Sequence, residues 1–193
     1  MTYLISSEKL KSDVDFTYRK LQSLHPNLYW YISKKELDQK FDSLKSSIDT
    51  PMLPFDFYKK LSLVVAEVRE GHLAVYPPST MLTKKEVNAL LKKGTGPFSQ
   101  FDFELFNEKL YVVKNKSHNK SIKTGTEVVA VNGINAMGLI HKNSPFYSSD
   151  GFNTTFKIRS AGKRFSSYFT NENGLKDRIQ FDFKFNDSLK TVT

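Results

Sequence analysis

The sequence predicts an α+β protein, with a helical N-terminal domain over residues 1–96 and a β-rich domain over residues 97–193. Three observations predict it. Apolar residues recur at three- and four-residue spacing through the first half, which is the period of an amphipathic helix. The period then changes to two, which is the period of a half-buried strand. Asn132-Gly133 lies between apolar segments of the second half and is a strong signal for a tight hairpin turn.

The first helix is predicted from Leu10, Val14, Tyr18, Leu21 and Leu24, with Pro26 closing the segment. Ser33 is an N-cap candidate, and Glu36 three residues later completes a capping box, in which each side chain satisfies the other residue's free backbone N–H. Leu37, Phe41, Leu44 and Ile48 form one face of the helix that follows. Pro51 and Pro54 punctuate, and Phe57, Leu61, Val64, Val65 and Val68 give a third apolar stripe. Thr83 and Glu86 repeat the capping-box pattern before Val87, Leu90 and Leu91, with Gly94 as the stop. Short amphipathic helices joined by short loops predict a small bundle.

In the second half Phe101, Phe103 and Leu105 alternate with polar residues. Asn107-Glu108 is the expected turn, and Leu110 to Val113 the return strand. Glu127 to Val131 is a further strand, turned by Asn132-Gly133 into a short helical segment, Ala136 to Ile140. Ile179, Phe181, Phe183 and Phe185 alternate again, and Asn186-Asp187-Ser188 turns the chain into a last strand, Leu189 to Thr193. The chain stops inside that strand pattern, so the last strand is expected to lie at a sheet edge or to keep free pairing capacity. Residues 141–178, rich in Ser, Asn, Lys, Arg and Phe, show no clear period and are expected to form an insertion.

Composition limits the function classes. The 193 residues are enough to bury a core, and 39% apolar and 13% aromatic residues, with sixteen Phe and nine Tyr, exclude a disordered chain. No apolar run is long enough to span a membrane, and the first ten residues lack the basic and then apolar order of a signal peptide. The absence of cysteine excludes disulfides, thiolate nucleophiles and Cys-based zinc sites, and leaves the compartment open. A formal net charge of +9 raises nucleic acid as a partner class. The lysines are spread along the chain, however, without a Gly-rich phosphate loop, an RNA-binding aromatic signature or a dense Arg patch. The charge therefore reads as a solvated basic surface, and no nucleic-acid partner is expected.

His25, His72, His118 and His141 show no metal-ligand spacing, so neither a metal site nor a cofactor is expected. His25, in LHPNLYWY, reads as a helix-end histidine bonded to the last carbonyls. His118 and His141 lie in polar stretches and read as surface residues. His72 follows a helix end, VREGH, where Gly71 permits a left-handed turn, and precedes a short apolar strand, LAVYPP. A histidine so placed can be presented to a cleft as a general base, provided that a nucleophile lies near. No serine has a GxSxG context, so a structural cap remains the other reading of His72. Asp102, Glu104 and Asp182 read as solvated strand faces.

The segment SIKTGTEVVAVNGINAMGLI resembles the late part of a PDZ domain, in which G-x-E-[IV]-[VL]-x-[VI]-N-G precedes a helix. HPNLYWYISKKELDQKFDSLKSSID and FYKKLSLVVAEVREGHLAVYPP resemble the N-terminal region of the C-terminal processing peptidases, the tail-specific and tricorn-core type of serine peptidase. The likeness is greatest to Bacteroidetes-type members, and it continues through PFSQFDFELFNEKLYVVKN, SSDGFNTTF and GKRFSSYF. In that family a helical domain ends in an acidic-Gly-His or Asp-Pro-Tyr motif followed by a short strand and proline, matched here by Glu70-Gly71-His72 and Pro77-Pro78. The resemblance implies hydrolysis of peptide bonds by a serine with a lysine or histidine base, in a catalytic core that follows the PDZ-like region and is absent from this chain. His72 is then the general base of the full-length enzyme, and Val128, Val129, Ala130, Val131, Asn132 and Gly133 are the peptide-binding candidates. The implied partners are a protein or peptide substrate and the missing core of the same polypeptide. The implied location is extracytoplasmic, in the periplasm or cell envelope. A stand-alone peptide-binding module is the alternative. No GLGF-type carboxylate loop is apparent: the nearest glycines, Gly94 and Gly96, precede Pro97, which lacks an N–H.

Overall fold

The structure, a computed structural model, describes residues 3–78, 83–93 and 96–193. It is an α+β fold that divides into two compact units. The first comprises Met1–Thr80 with Pro145–Lys157, and the second Met81–Ser144 with Ile158–Thr193. The division is therefore not the linear one expected at residue 96. Part of the expected insertion belongs with the N-terminal helices, and residues 83–93 belong with the strands.

Three helices build the first unit: α1 (Ser7–Leu24), α2 (Lys34–Ser46) and α3 (Pro54–Val65). The expected capping box opens α2. Ser33 Oγ accepts from the Glu36 N–H at 3.2 Å, and Glu36 Oε2 accepts from the Ser33 N–H at 3.1 Å. Pro54 begins α3, where its missing N–H leaves no extra donor unsatisfied. Leu10, Val14, Leu37, Phe41, Ile48, Leu61 and Val65 meet in one buried core, and the Tyr18 ring stacks on Phe41 at 4.3 Å. Leu24 departs from expectation. It lies in the last turn of α1 and is 73% exposed.

Asp38 on α2 accepts from the Tyr18 hydroxyl on α1 and from Lys34 Nζ one turn earlier. The lysine bond and then the tyrosine bond hold its carboxyl below the usual range. Burial, followed by the bond to Asp38, holds the Tyr18 phenol up. The Ser33 bonds lower Glu36 in the same way. A lowered folded-state pKa means that the unfolded chain binds more protons as the carboxyl titrates. The stabilisation is complete above the unfolded value near pH ~4 and is lost as pH falls through the lower folded values. Urea midpoints of wild type and Asp38→Asn should accordingly stay a constant distance apart at neutral pH and converge in acid. A gap that persists undiminished in strong acid would show that Asp38 does not contribute through its charge.

The second unit holds α4 (Lys84–Lys93) and a six-stranded antiparallel sheet. The Thr83–Glu86 capping box, the apolar set Val87, Leu90 and Leu91, and the Gly94 stop lie outside the described residues and side chains. The strands are β1 (Phe101–Phe106), β2 (Lys109–Asn115), β3 (Glu127–Val131), β4 (Ile134–Asn135), β5 (Phe181–Phe185) and β6 (Ser188–Val192). They run in the order β1-β2-β3-β5-β6, with β4 folded back on β3. Turn chemistry sets this register. Asn107 and Glu108 both take positive φ, as do Asn132 and Gly133, which is the two-residue hairpin geometry expected of Asn-Gly. Asn135 caps α5 (Ala136–Asn143) by accepting from the Gly138 N–H at 2.7 Å. As expected, the last strand β6 is an edge strand among the described residues.

Residues 141–178 are not one loop. They contain α6 (Thr154–Lys163) and α7 (Phe165–Asn173), neither of which the sequence period revealed. Phe165, Tyr168 and Phe169 on α7 are buried. The Phe165 ring meets Phe103, and the half-buried Phe98 meets Phe165, Phe169 and Phe181 edge-on. Phenylalanines therefore form a cluster within this core, where edge-to-face contacts add to plain area burial. No helix among the described residues is long and apolar enough to cross a membrane.

Candidate functional site

The Glu70-Gly71-His72 turn lies where α3 runs out. The helix tightens into a 3-10 turn at Ala66–Val68, and Arg69 then takes the left-handed conformation at φ 58°. This corrects the role expected of Gly71. Arg69 makes the left-handed turn, whereas Gly71 is needed for space: a Cβ there would sit 3.0 Å from Asp150 Oδ1. The expected strand after His72 is also absent, because residues 73–78 pair with no ladder.

A segment far along the chain clasps this turn within the same unit. The Glu70 N–H donates to Ser148 Oγ at 3.0 Å, and the Gly71 N–H to Asp150 Oδ1 at 2.7 Å. The Gly151 N–H returns a bond to the Arg69 carbonyl at 3.0 Å. Ser148 and Ser149 are buried, and the Arg69 guanidinium lies 4.3 Å over the Phe152 ring. The clasp residues lie in SSDGFN, a stretch that had no assigned structure from period alone. Its polar side chains are the signal: Ser148 and Asp150 accept from the Glu70 and Gly71 N–H groups, which lie past the end of α3 in the turn.

The His72 N–H donates to Glu70 Oε1 at 3.0 Å, and the His72 imidazole is exposed. A fixed backbone with an exposed ring presents the imidazole outward, which is what a base acting on a group brought to it requires. Among the described residues no three His, Cys, Asp or Glu side chains gather as a metal site. His25 ends α1 bonded to one of its last carbonyls, as expected. Its backbone N–H, not its ring, caps α1 through the Leu21 carbonyl at 2.9 Å. Its Nε2 faces Glu70 Oε2 at 3.7 Å, and its Nδ1 is buried without a hydrogen-bond partner.

In the second unit, Val128 to Val131 form most of β3, and Asn132 and Gly133 form its turn. β3 is an interior strand. It pairs with β5 on one side, from Glu127↔Lys184 to Val131↔Phe181, and with β2 and β4 on the other. Its ladders are thus committed on both sides, and a peptide adding as a strand needs another place. One open edge is β1, which among the described residues pairs only with β2. Near its start lies a groove of about 350 Å³, between Gly96–Ser99 and the α7 residues Ser166, Ser167 and Thr170, with Lys176 at its rim. The sequence reading did not single out α7 or Lys176 for this groove.

No protein-family model matches the chain, and no curated sequence matches it. Solved structures do. Mature CPAF, a chlamydial serine protease, superposes with a TM-score of 0.60 at 14% identity, over 96% of this chain and 34% of CPAF. A serine-to-alanine mutant of CPAF gives 0.60 at 13% identity over 96% and 33%, and CPAF complexed with lactacystin gives 0.59 at 13% over 96% and 34%. At such identity the likeness is one of fold. It carries nothing particular to Bacteroidetes-type members, and the chain spans about a third of the length of these structures.

Proposed function

We propose that this chain is the front portion of a serine peptidase of the C-terminal processing type, in which the first unit carries the base His72 and the second is a PDZ-like unit that docks the substrate's C-terminal region. The nucleophile then belongs to a part of the polypeptide outside these residues, and the chain alone is inactive. The fold-level likeness to a protease of which it spans a third supports this reading. The extracytoplasmic location rests on the family resemblance.

The observation that carries the docking role is the open edge of β1 beside the groove at α7. An extended peptide paired with β1 gains main-chain hydrogen bonds, and its terminal side chain can enter the groove. The Lys176 ammonium supplies charge for a terminal carboxylate, which compensates for the donor that Pro97 lacks. This moves the proposed peptide contacts from β3 to β1, Gly96–Ser99 and α7.

Fluorescence anisotropy with labelled peptides tests the reading. Peptides with a free C-terminus are expected to bind, and their amides to bind about tenfold more weakly, as for loss of one charge-assisted contact. Ser167→Trp, at an exposed helix position, should fill the groove and abolish binding. Equal affinity for acid and amide, or full binding by Ser167→Trp, would remove the docking role.

A further inference from the structure

We infer that the first unit carries a binding site for an arginine side chain of a partner polypeptide, in a cleft between the end of α1 and the Glu70 turn. The cleft has a volume of about 450 Å³, and its lining includes His25, Trp30, Tyr31, Glu70 and Asp150. This goes beyond the peptidase proposal and does not rest on it. The groove beside α7 belongs to the other unit, so each reading can fail alone.

The walls are aromatic. Trp30 and Tyr31 present near-parallel rings, with centroids 6.1 Å apart and planes at 22°. The Tyr31 ring lies against the backbone of Gly151, where a Cβ would meet it at 3.4 Å, and Gly151 takes φ +58°, a conformation suited to glycine. One wall is therefore packed in place by the clasp. Trp30 is 73% exposed, a large apolar face left to solvent. A surface of this kind over a concave cleft marks a binding place.

The floor is acidic, and its carboxylates are held in orientation. Glu70 Oε1 accepts from the His72 N–H, and Asp150 Oδ1 from the Gly71 N–H at 2.7 Å. Each carboxylate keeps a second oxygen: Asp150 Oδ2, and Glu70 Oε2, which faces His25 Nε2 at 3.7 Å. Among the described residues neither forms an ion pair with a lysine or arginine, although the chain carries 29 of those against 20 acidic residues. Neighbouring Glu67, by contrast, pairs with Lys40 and Arg69. Two oriented carboxylates beside an indole and a phenol match a guanidinium, which stacks on aromatic faces while its fork of donors meets carboxylates. An ammonium lacks the flat face and the fork, which makes arginine the better occupant than lysine.

Trp30 is the single tryptophan of the chain, so its emission reads this cleft directly. The chain would be titrated with N-acetyl-arginine amide and with its neutral isostere, N-acetyl-citrulline amide. Arginine is expected to give a saturable change at an affinity about tenfold above that of citrulline, as for one desolvated cation contact. Glu70→Gln and Asp150→Asn each keep the oxygen that holds the turn and remove one charge. Each should weaken arginine several-fold and leave citrulline unchanged, with far-UV circular dichroism confirming the fold. If one variant fails to fold, the other and the wild-type comparison still decide. Equal binding of arginine and citrulline, arginine binding untouched by both variants, or no saturable change would overturn the site.

Discussion

On the proposed peptidase reading, His72→Gln in a polypeptide that carries the nucleophile is expected to lower peptide-bond hydrolysis by about 10²–10⁴-fold, the usual contribution of a positioned general base. The thermal melt of this chain should be unchanged, because the His72 ring is exposed and the turn is held by backbone groups. The Gly71 N–H stays on Asp150, the Glu70 N–H on Ser148, and Glu70 still accepts the N–H of residue 72. Glutamine keeps a polar side chain of similar reach but cannot take a proton. The loss should therefore fall on kcat and remove the acid limb of its pH profile, not merely raise KM. Activity within about threefold of wild type would return His72 to the structural reading, since a base lost should cost far more. A lowered melt with activity intact would point the same way.

Phe181→Ala is expected to destabilise the second unit by about 3–5 kcal/mol, the range for deleting a buried aromatic ring. Phe181 lies on β5, next to the interior strand β3, and is 3% exposed. Its ring meets Phe98 at 5.7 Å, Phe101 at 5.5 Å, Phe103 at 6.2 Å and Phe183 at 5.4 Å. Alanine would leave a cavity whose walls are themselves large rings held by their other partners, so little collapse can refill it. Leu189→Ala on β6, where the side chain is 71% exposed, serves as the control and should stay within about 0.5 kcal/mol. Chemical denaturation followed by far-UV circular dichroism gives both values. A loss at Phe181 no larger than that at Leu189 would show that these rings do not form a packed core.

The capping box at Ser33 and Glu36, the Asn107-Glu108 and Asn132-Gly133 turns and the alternating phenylalanines of β1 and β5 were legible because each is set by residues within a few positions. The order of helices and then strands followed from the change of period, and so did the α+β class. Two helices of the 141–178 stretch were not legible. On α7 the aromatic residues Phe165, Tyr168 and Phe169 sit among Ser, Thr and Asn, which are poor helix formers, and burial against Phe98 and Phe103 outweighs that preference.

The candidate sites divide along the same line. His72 and its motif stand in the sequence as residues. Their surroundings do not, because Ser148, Asp150 and Gly151 reach the turn from about eighty positions away. Gly71 illustrates the limit. Its presence suggested a left-handed turn, and the structure instead puts that turn at Arg69 and uses the missing Cβ to admit a carboxylate. Likewise the β3 motif was recognisable, but whether a strand is interior or at an edge depends on which strands flank it. Local chemistry (caps, turns, period and composition) was thus determined by the sequence itself, since those forces act between near neighbours. Which backbone edges stay open, which carboxylates face a cleft and which aromatic rings become its walls were decided only by the tertiary structure, because they depend on contacts between residues far apart in the chain.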